Sequence, residues 1–256
     1  MNLYIKFFLY LIPFFYLTKS RLKKINLAIS WIFIFYFINL LTVYLLDLNF
    51  DFLKYNIFFL ILIYNYEIGY IYNDFVSISK EIKPTIRFNK NEFNFIKSKL
   101  YSILFTRFTV LLLLIYLFFY YLNIKFLILI FLINIMFFAH NFYRGRQNIL
   151  TFFLLHHIKN LSITLPFIEN YILINLLVFI NSSLNRSLEN LSLLRFNVIF
   201  FKNSIIARDR HKFRFYYFLA AFLILFIILN YTNNILLIIP TSLILIYRVL
   251  IYFFYK

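Results

Sequence analysis

The 256-residue chain contains no cysteine, two glycines, four prolines and only nine acidic residues. Without cysteine, disulfides, thiolate catalysis and cysteine-ligated metals are excluded. Two glycines cannot build the glycine-rich loops that cradle phosphates in nucleotide-driven enzymes or dinucleotide-binding folds. A nucleophile-elbow motif and a metalloprotease helix are also missing from the sequence. The composition therefore argues against soluble hydrolases and nucleotide-driven pumps.

Apolar residues make up 64% of the chain and aromatic residues 24%, and the mean hydropathy is +0.84. Apolar runs of the length that crosses a bilayer, about 17–25 residues, recur along the sequence. They predict an all-α polytopic membrane protein with eight to nine transmembrane helices in one integral membrane domain, 1–256. A short helix over 3–17, which either spans the membrane or lies in its interface, precedes predicted spans at about 26–46, 55–72, 100–121, 125–141, 150–165, 168–184, 215–230 and 235–254.

The net charge of +17 is concentrated in loops between the apolar runs. Basic loops at 19–24, 80–99, 142–148 and 185–214 alternate with loops that are acidic or nearly uncharged. The positive-inside rule then places the basic loops in the cytoplasm and predicts a multi-pass protein of the bacterial inner membrane. Because topology accounts for the charge, we expect no nucleic-acid partner. A cationic cytoplasmic face instead suits anionic lipid headgroups or phosphorylated substrates. The sequence gives no indication of oligomeric state.

Three acids, Glu67, Asp74 and Glu81, recur at seven-residue intervals at the end of the second full predicted span. Seven residues are two helical turns, so a continuous helix would stack them on one face, about 10 Å apart. Glu67 would lie inside the membrane, where a carboxylate marks a functional site by default. A structural alternative remains open, in which Asn73 and Asp74 cap the next turn, the acids pair with Arg87 or nearby lysines, and Glu67 pairs with a cation from another helix.

The run from Tyr70 to Arg87 resembles the first aspartate-rich motif of the UbiA-type intramembrane prenyltransferases, nearest the branch that transfers phosphoribosyl to polyprenyl phosphate. Asn73 and Asp74 open the motif, Glu81 closes it, and the segment 84–87 resembles the Pro-Thr-x-Arg that follows it. Ser77 replaces one acid of the motif, and the loop 185–214 lacks a second aspartate cluster. The resemblance implies a helical horseshoe around a central cavity, with Mg²⁺ held by Asn73, Asp74 and Glu81.

The resemblance also implies roles for individual residues. Asp74, Glu81 and Glu67 become the catalytic candidates, with Glu67 orienting or deprotonating a lipid acceptor. The candidate phosphate ligands are four arginines of the basic loops: Arg87, Arg144, Arg146 and Arg186. The positive-inside rule explains the same arginines without a ligand. The basic cluster 208–214 is interpreted as a juxtamembrane anchor that binds anionic lipid.

The leading functional hypothesis is a Mg²⁺-dependent membrane transferase. It would move a prenyl or phosphoribosyl-type group between a phosphorylated small-molecule donor bearing a diphosphate and a membrane lipid or polyprenyl phosphate. A transporter or flippase for an anionic lipid-linked substrate is one alternative, although few glycines and prolines argue against the broken helices of many transporters. A non-catalytic subunit of a membrane complex is another.

Overall fold

A computed structural model of the chain describes residues 7–47, 49–80, 86–142, 147–192, 204–232 and 234–254. Across these ranges the regular secondary structure is helical and contains no β-strand. Residues Ile32–Phe37, in the middle of the second helix, are π-helical, and a π-helical turn, Phe179–Leu184, joins two later helices. In chain order the helices are α1 (Phe15–Ser20), α2 (Ile25–Leu46), α3 (Phe52–Phe75), α4 (Lys90–Ser98), α5 (Leu100–Leu117), α6 (Ile124–Phe142), α7 (Gln147–Leu161), α8 (Tyr171–Val178), α9 (Asn185–Leu191), α10 (Ile205–Arg208), α11 (Arg210–Tyr231) and α12 (Ile238–Phe254).

Five helical stretches in the described ranges are long and apolar enough to cross a membrane: α2, α5, α6, α11 and Ile235–Phe253, which contains most of α12. Each coincides with a predicted span to within a few residues. These five stretches identify the chain as a helical membrane protein by length and composition.

The other three predicted spans do not meet the same criteria. Helix α3 is 24 residues long but carries several Asn and acidic residues. Helix α7 has 15 residues and extends about 22 Å, which is less than the hydrocarbon thickness of about 30 Å. Between α8 and α9 lies the π-helical turn, whose Asn and Ser residues lower the apolar content. The count of eight to nine spans therefore stays a prediction.

The predicted helix over 3–17 is wrong in its described part. Helical residues end at Leu9 and start again at Phe15, with turns and a bend between them. Pro13 has no N–H to continue the helix, and Phe14 adopts a left-handed φ of 66°. The chain therefore breaks within the first apolar run and then enters α1.

The described residues fall into two compact units, of which the first comprises 1–32 and 51–142. At its centre, α3 packs against α5 and α6. The Phe58 ring stacks on Phe126 with centroids 4.2 Å apart, and Gly69 leaves room for the Phe137 ring. A buried cluster joins the N-terminal segment to α3, α4 and α5: Tyr10, Tyr16, Ile71, Phe75, Phe88, Ile96, Leu100 and Ile103.

The second unit comprises 33–50 and 143–256. Helices α11 and α12 pack together as a hairpin after a short connection. Side-chain caps fix the start of two of its helices, since Asn170 accepts from Leu173 N and Asp209 accepts from Lys212 N. The apolar core of this unit is formed by Ile38, Leu173, Leu177, Ile180, Phe218, Ala221, Leu225, Leu229, Leu237 and Ile244.

Candidate functional site

Glu67 of α3 caps the N-terminus of α1. Its Oε2 accepts a hydrogen bond from the backbone N–H of Phe14 at 3.2 Å, and its Oε1 accepts one from Leu17 at 2.7 Å. Phe14 is the N-cap of α1 and Leu17 its third residue, so these are the two donors that a capping box satisfies. The carboxylate comes here from a distant helix because the apolar side chains of the break offer no acceptor of their own.

Arg107 of α5 neutralises this carboxylate. Its guanidinium donates to Glu67 Oε2 and to the carbonyl oxygen of Tyr10, and it lies over the Tyr64 ring at 4.3 Å from the centroid. Both charged side chains are buried, with exposures of 0% for Arg107 and 1% for Glu67. Buried backbone N–H and C=O groups outside a helix need hydrogen-bond partners from elsewhere in the protein. Both oxygens of Glu67 are engaged in that task, which supports a structural role.

Asp74 lies two turns further along α3 and also contacts α1, through Tyr16 in its first turn and Arg21 at its C-cap. Its Oδ2 accepts from the Tyr16 hydroxyl at 2.7 Å, and its Oδ1 accepts from Arg21 and Arg87 at 2.9 Å each. The seven-residue spacing thus brings Glu67 and Asp74 onto one face of α3, as the sequence predicts. Helix α3 ends at Phe75, however, and Glu81 lies outside the described residues.

Arg21 is fixed firmly in this network. Burial by itself lowers the pKa of its guanidinium, but the hydrogen bond and the charge of Asp74 raise that pKa more, so the net pKa is raised. The guanidinium carbon also lies 4.4 Å from the Tyr70 ring centroid. Asp74 is therefore held between two permanent cations, Arg21 and Arg87, and carries less charge than they do together.

Of the three predicted magnesium ligands, the two described ones, Asn73 and Asp74, do not by themselves form a metal site. Both oxygens of Asp74 already accept hydrogen bonds, and the two nearest cations would repel a metal ion. Asn73 has a buried amide oxygen that accepts no hydrogen bond from a described residue, but one neutral oxygen beside two arginines is a poor cation ligand. Within the described ranges, no three His, Asp or Glu side chains converge as metal ligands would.

Next to this network lies a cavity of about 490 Å³, which we call the cationic cavity. Its walls carry three cations, Lys19, Lys23 and Arg87, against one acid, Glu92. Lys23 Nζ donates to the carbonyl oxygen of Arg87, which ties the two sides of the cavity together. The remaining lining residues are Thr18, Leu22, Phe88 and Asn89.

A second cavity, of about 500 Å³, adjoins the first and shares Lys19, Asn89 and Glu92 with it. We call it the apolar cavity because Leu9, Phe15 and Phe95 line it. Tyr10 closes one side, with its hydroxyl donating to Glu92 Oε1 at 2.9 Å. A cationic and an apolar compartment therefore share one wall.

The other predicted phosphate ligands are distributed differently. Arg144 and Arg146 lie outside the described residues. Arg186 belongs to the second unit, where its Nη1 lies 3.4 Å from Oε2 of Glu189. The interpretation of 208–214 as a plain lipid anchor is wrong for Arg214, because its Nε and Nη2 bind both oxygens of Glu189 at 2.6 and 2.7 Å.

Sequence reasoning missed Arg107 and the roles of Arg21 and Tyr16. Arg107 had a signal, since it is the one charged residue of the 18-residue helix α5. An isolated cation in one apolar helix and an isolated acid in another are candidates to pair. Comparison of the chain with protein-family models, with curated proteins and with solved structures gives no match.

Proposed function

We propose that this membrane protein binds a phosphorylated, lipid-linked substrate in the cationic cavity and the adjoining apolar cavity. The observation that carries the proposal is the shared wall of the two compartments, at Lys19, Asn89 and Glu92. An amphipathic ligand with an anionic head and an apolar chain matches such a pair of compartments. Each volume also lies within the range of ligand pockets, about 300–1,000 Å³.

The phosphate would lie against Lys19, Lys23 and Arg87. With Glu92 counted, the walls carry an excess of two positive charges. A phosphate monoester carries about 1.5–2 negative charges at neutral pH and so balances this excess. Arg87 is oriented by Asp74, so part of its side-chain entropy is lost before the ligand arrives.

The lipid chain would lie along Leu9, Phe15 and Phe95. Phe15 starts α1, and α1 is held by Glu67 and Asp74 of α3. The buried acids therefore act on the substrate through α1, by fixing the wall that both compartments share. In this proposal Glu67 is a positioning residue.

The finer proposal is the UbiA-type transfer that the run Tyr70 to Arg87 implies. Its support is the contact of Asp74 with Arg87 at 2.9 Å beside the cationic cavity. Since Asp74 holds arginines in this arrangement, we derive no step through a metal ion. The chain's own residues bind the phosphate and orient the lipid.

The test compares a short-chain polyprenyl phosphate with the matching polyprenol, bound to purified protein in phosphatidylcholine nanodiscs. We expect the phosphate to bind at least about tenfold more tightly, since hydrogen bonds to charged groups contribute about 1.5–3 kcal/mol each. Lys23→Met removes this preference, and Lys97→Met is the control because Lys97 is exposed and lies outside the lining. Equal affinity for the phosphate and the alcohol would contradict the proposal.

The same preparation tests turnover. A phosphorylated sugar donor is added to the bound polyprenyl phosphate, with and without Mg²⁺, and the lipid product is measured by mass spectrometry. Product formation supports the transferase. Binding without product favours the transporter or the non-catalytic subunit.

A further inference from the structure

The second unit contains three arginines around one carboxylate, on three different helices. Glu189 of α9 accepts two hydrogen bonds from Arg214 of α11 and one, at 3.4 Å, from Arg186. Arg248 of α12 interacts electrostatically with all three of these residues. We call Arg186, Glu189, Arg214 and Arg248 the arginine cluster.

The arginine cluster has an excess of two positive charges, three guanidiniums less one carboxylate. Burial tends to raise the pKa of the Glu189 carboxyl, but the hydrogen bonds of Arg214 and the charge of Arg186 outweigh burial and lower it below its usual range. Glu189 is therefore ionised, and the excess charge is real. Lys159 is also buried nearby, with its ammonium group over the Phe35 ring, but it is not counted in this excess.

Arg248 is the cation that Glu189 does not neutralise. Its exposure is 3%, and its Nε is buried without a hydrogen-bond partner among the described residues. Its guanidinium carbon lies 5.4 Å from the Tyr247 ring and 5.9 Å from the Phe218 ring. Arg107 in the first unit is equally buried, yet it donates to a carboxylate and to a backbone carbonyl.

Buried charges are normally paired, and a guanidinium carries five N–H donors. A buried arginine that has ring contacts but no described acceptor needs an anion to complete it. The phosphate group fits, because its charge of about −1.5 to −2 balances the excess and its oxygens accept bidentate hydrogen bonds from arginine. Arg186 is 42% exposed and marks the side from which such a ligand reaches the arginine cluster.

We propose that the arginine cluster is a phosphate-binding site in which Arg248 and Arg186 hold the anion while Glu189 keeps Arg214 in place. The phosphate belongs either to an anionic phospholipid headgroup or to a soluble phosphate compound. The proposal does not rest on the function proposed above, because the arginine cluster shares no residue with the cationic cavity.

The test measures thermal unfolding of the purified full chain in a phosphate-free zwitterionic detergent. Inorganic phosphate is titrated in one series, and phosphatidylglycerol is compared with phosphatidylcholine in a second. Arg248→Met removes the excess cation at similar size. Arg210→Met is the matched control, since Arg210 is an exposed cation at the start of α11.

We expect phosphate or phosphatidylglycerol to raise the unfolding temperature of the wild type and of Arg210→Met. Arg248→Met should bind at least about tenfold more weakly. Without the anion, Arg248→Met should unfold at the same temperature as Arg210→Met or a higher one, because it no longer buries an unneutralised charge. If Arg248 had only a structural role, Arg248→Met would instead unfold at a lower temperature than Arg210→Met.

The two series separate the sources of phosphate. A response to phosphatidylglycerol alone assigns a headgroup, and a response to inorganic phosphate as well assigns a soluble compound. Each experiment is repeated in a Lys23→Met background, where the Arg248-dependent shift should persist even if the cationic cavity binds nothing. Should Arg248→Met fail to fold, Arg186→Gln tests the same site from its exposed side. An unfolding temperature of the wild type that is insensitive to both anions overturns the proposal.

Discussion

Replacing Glu67 with glutamine removes the charge from the buried pair with Arg107 while preserving the size of the side chain. In Glu67→Gln, Arg107 stays buried without a counter-charge, and one backbone N–H of α1 faces an amide NH₂ in place of an oxygen. Breaking a buried pair from one side costs about 3–5 kcal/mol. For a chain of this size, that lowers the unfolding temperature by roughly 6–20 °C.

Arg107→Met should cost a similar amount, because it strands Glu67 and leaves the Tyr10 carbonyl without its donor. The double variant Glu67→Gln/Arg107→Met removes both charges together. We therefore expect it to lose less than the sum of the two single losses, by about 2–3 kcal/mol. This difference measures the coupling between the two helices.

The assay follows the fluorescence of Trp31, the single tryptophan. The Trp31 ring lies 5.9 Å from Phe59, and Phe59 lies 5.9 Å from Phe14 at the start of α1. Loosening of α1 should therefore change the emission before the membrane helices unfold. If Glu67→Gln unfolds at the wild-type temperature and yet abolishes handling of polyprenyl phosphate, the carboxylate acts on the substrate and the capping interpretation is wrong.

Three further predictions concern stability. Gly69→Ala would place its Cβ 2.5 Å from the Phe137 ring, so we expect a loss of about 1–3 kcal/mol that Phe137→Leu restores, measured by thermal unfolding. Asn65 is 1% exposed, and neither polar atom of its side chain has a described partner, so Asn65→Leu should raise stability by about 1 kcal/mol in the same assay. The folded pKa of Glu189 is depressed, so its pairing with Arg214 stabilises fully above the unfolded pKa of about 4.3 and is lost as the pH falls through the folded pKa. Glu189→Gln should therefore flatten the fall in unfolding temperature as the pH drops below the unfolded pKa of about 4.3.

Composition alone predicted the five apolar membrane stretches, because each is a continuous run of the required length. At α7 the predicted span 150–165 and the helix do not coincide, since the helix ends at Leu161. Hydropathy depends only on residue type, so it does not indicate where the backbone hydrogen bonding of a helix ends. The break at Phe14 shows the same limit. Pro13 predicts an interruption of the helix, but nothing in the sequence predicts that the next residue adopts a left-handed conformation.

The periodicity of the acids predicted a shared face for Glu67 and Asp74, since two helical turns fix it. What that face contacts was beyond the sequence, because the partners in α1 lie 50 to 58 residues away. A local pattern can orient a side chain but cannot select a distant acceptor or donor. Arg21 and Lys23 looked like ordinary loop cations for this reason, and only the fold places Arg21 on Asp74 and Lys23 in the cationic cavity.

The pairing of Glu67 with Arg107 also sets an order of events during synthesis. The two residues are separated by 40 positions. At a synthesis rate of about 5–20 residues per second, Arg107 is added roughly 2–8 s after Glu67. During that interval α3 carries an unpaired carboxylate, which is costly to bury. We therefore expect α3 to pack in its final position only after α5 has been synthesised. The capped turn at Phe14 can form only after Glu67 and Arg107 have paired.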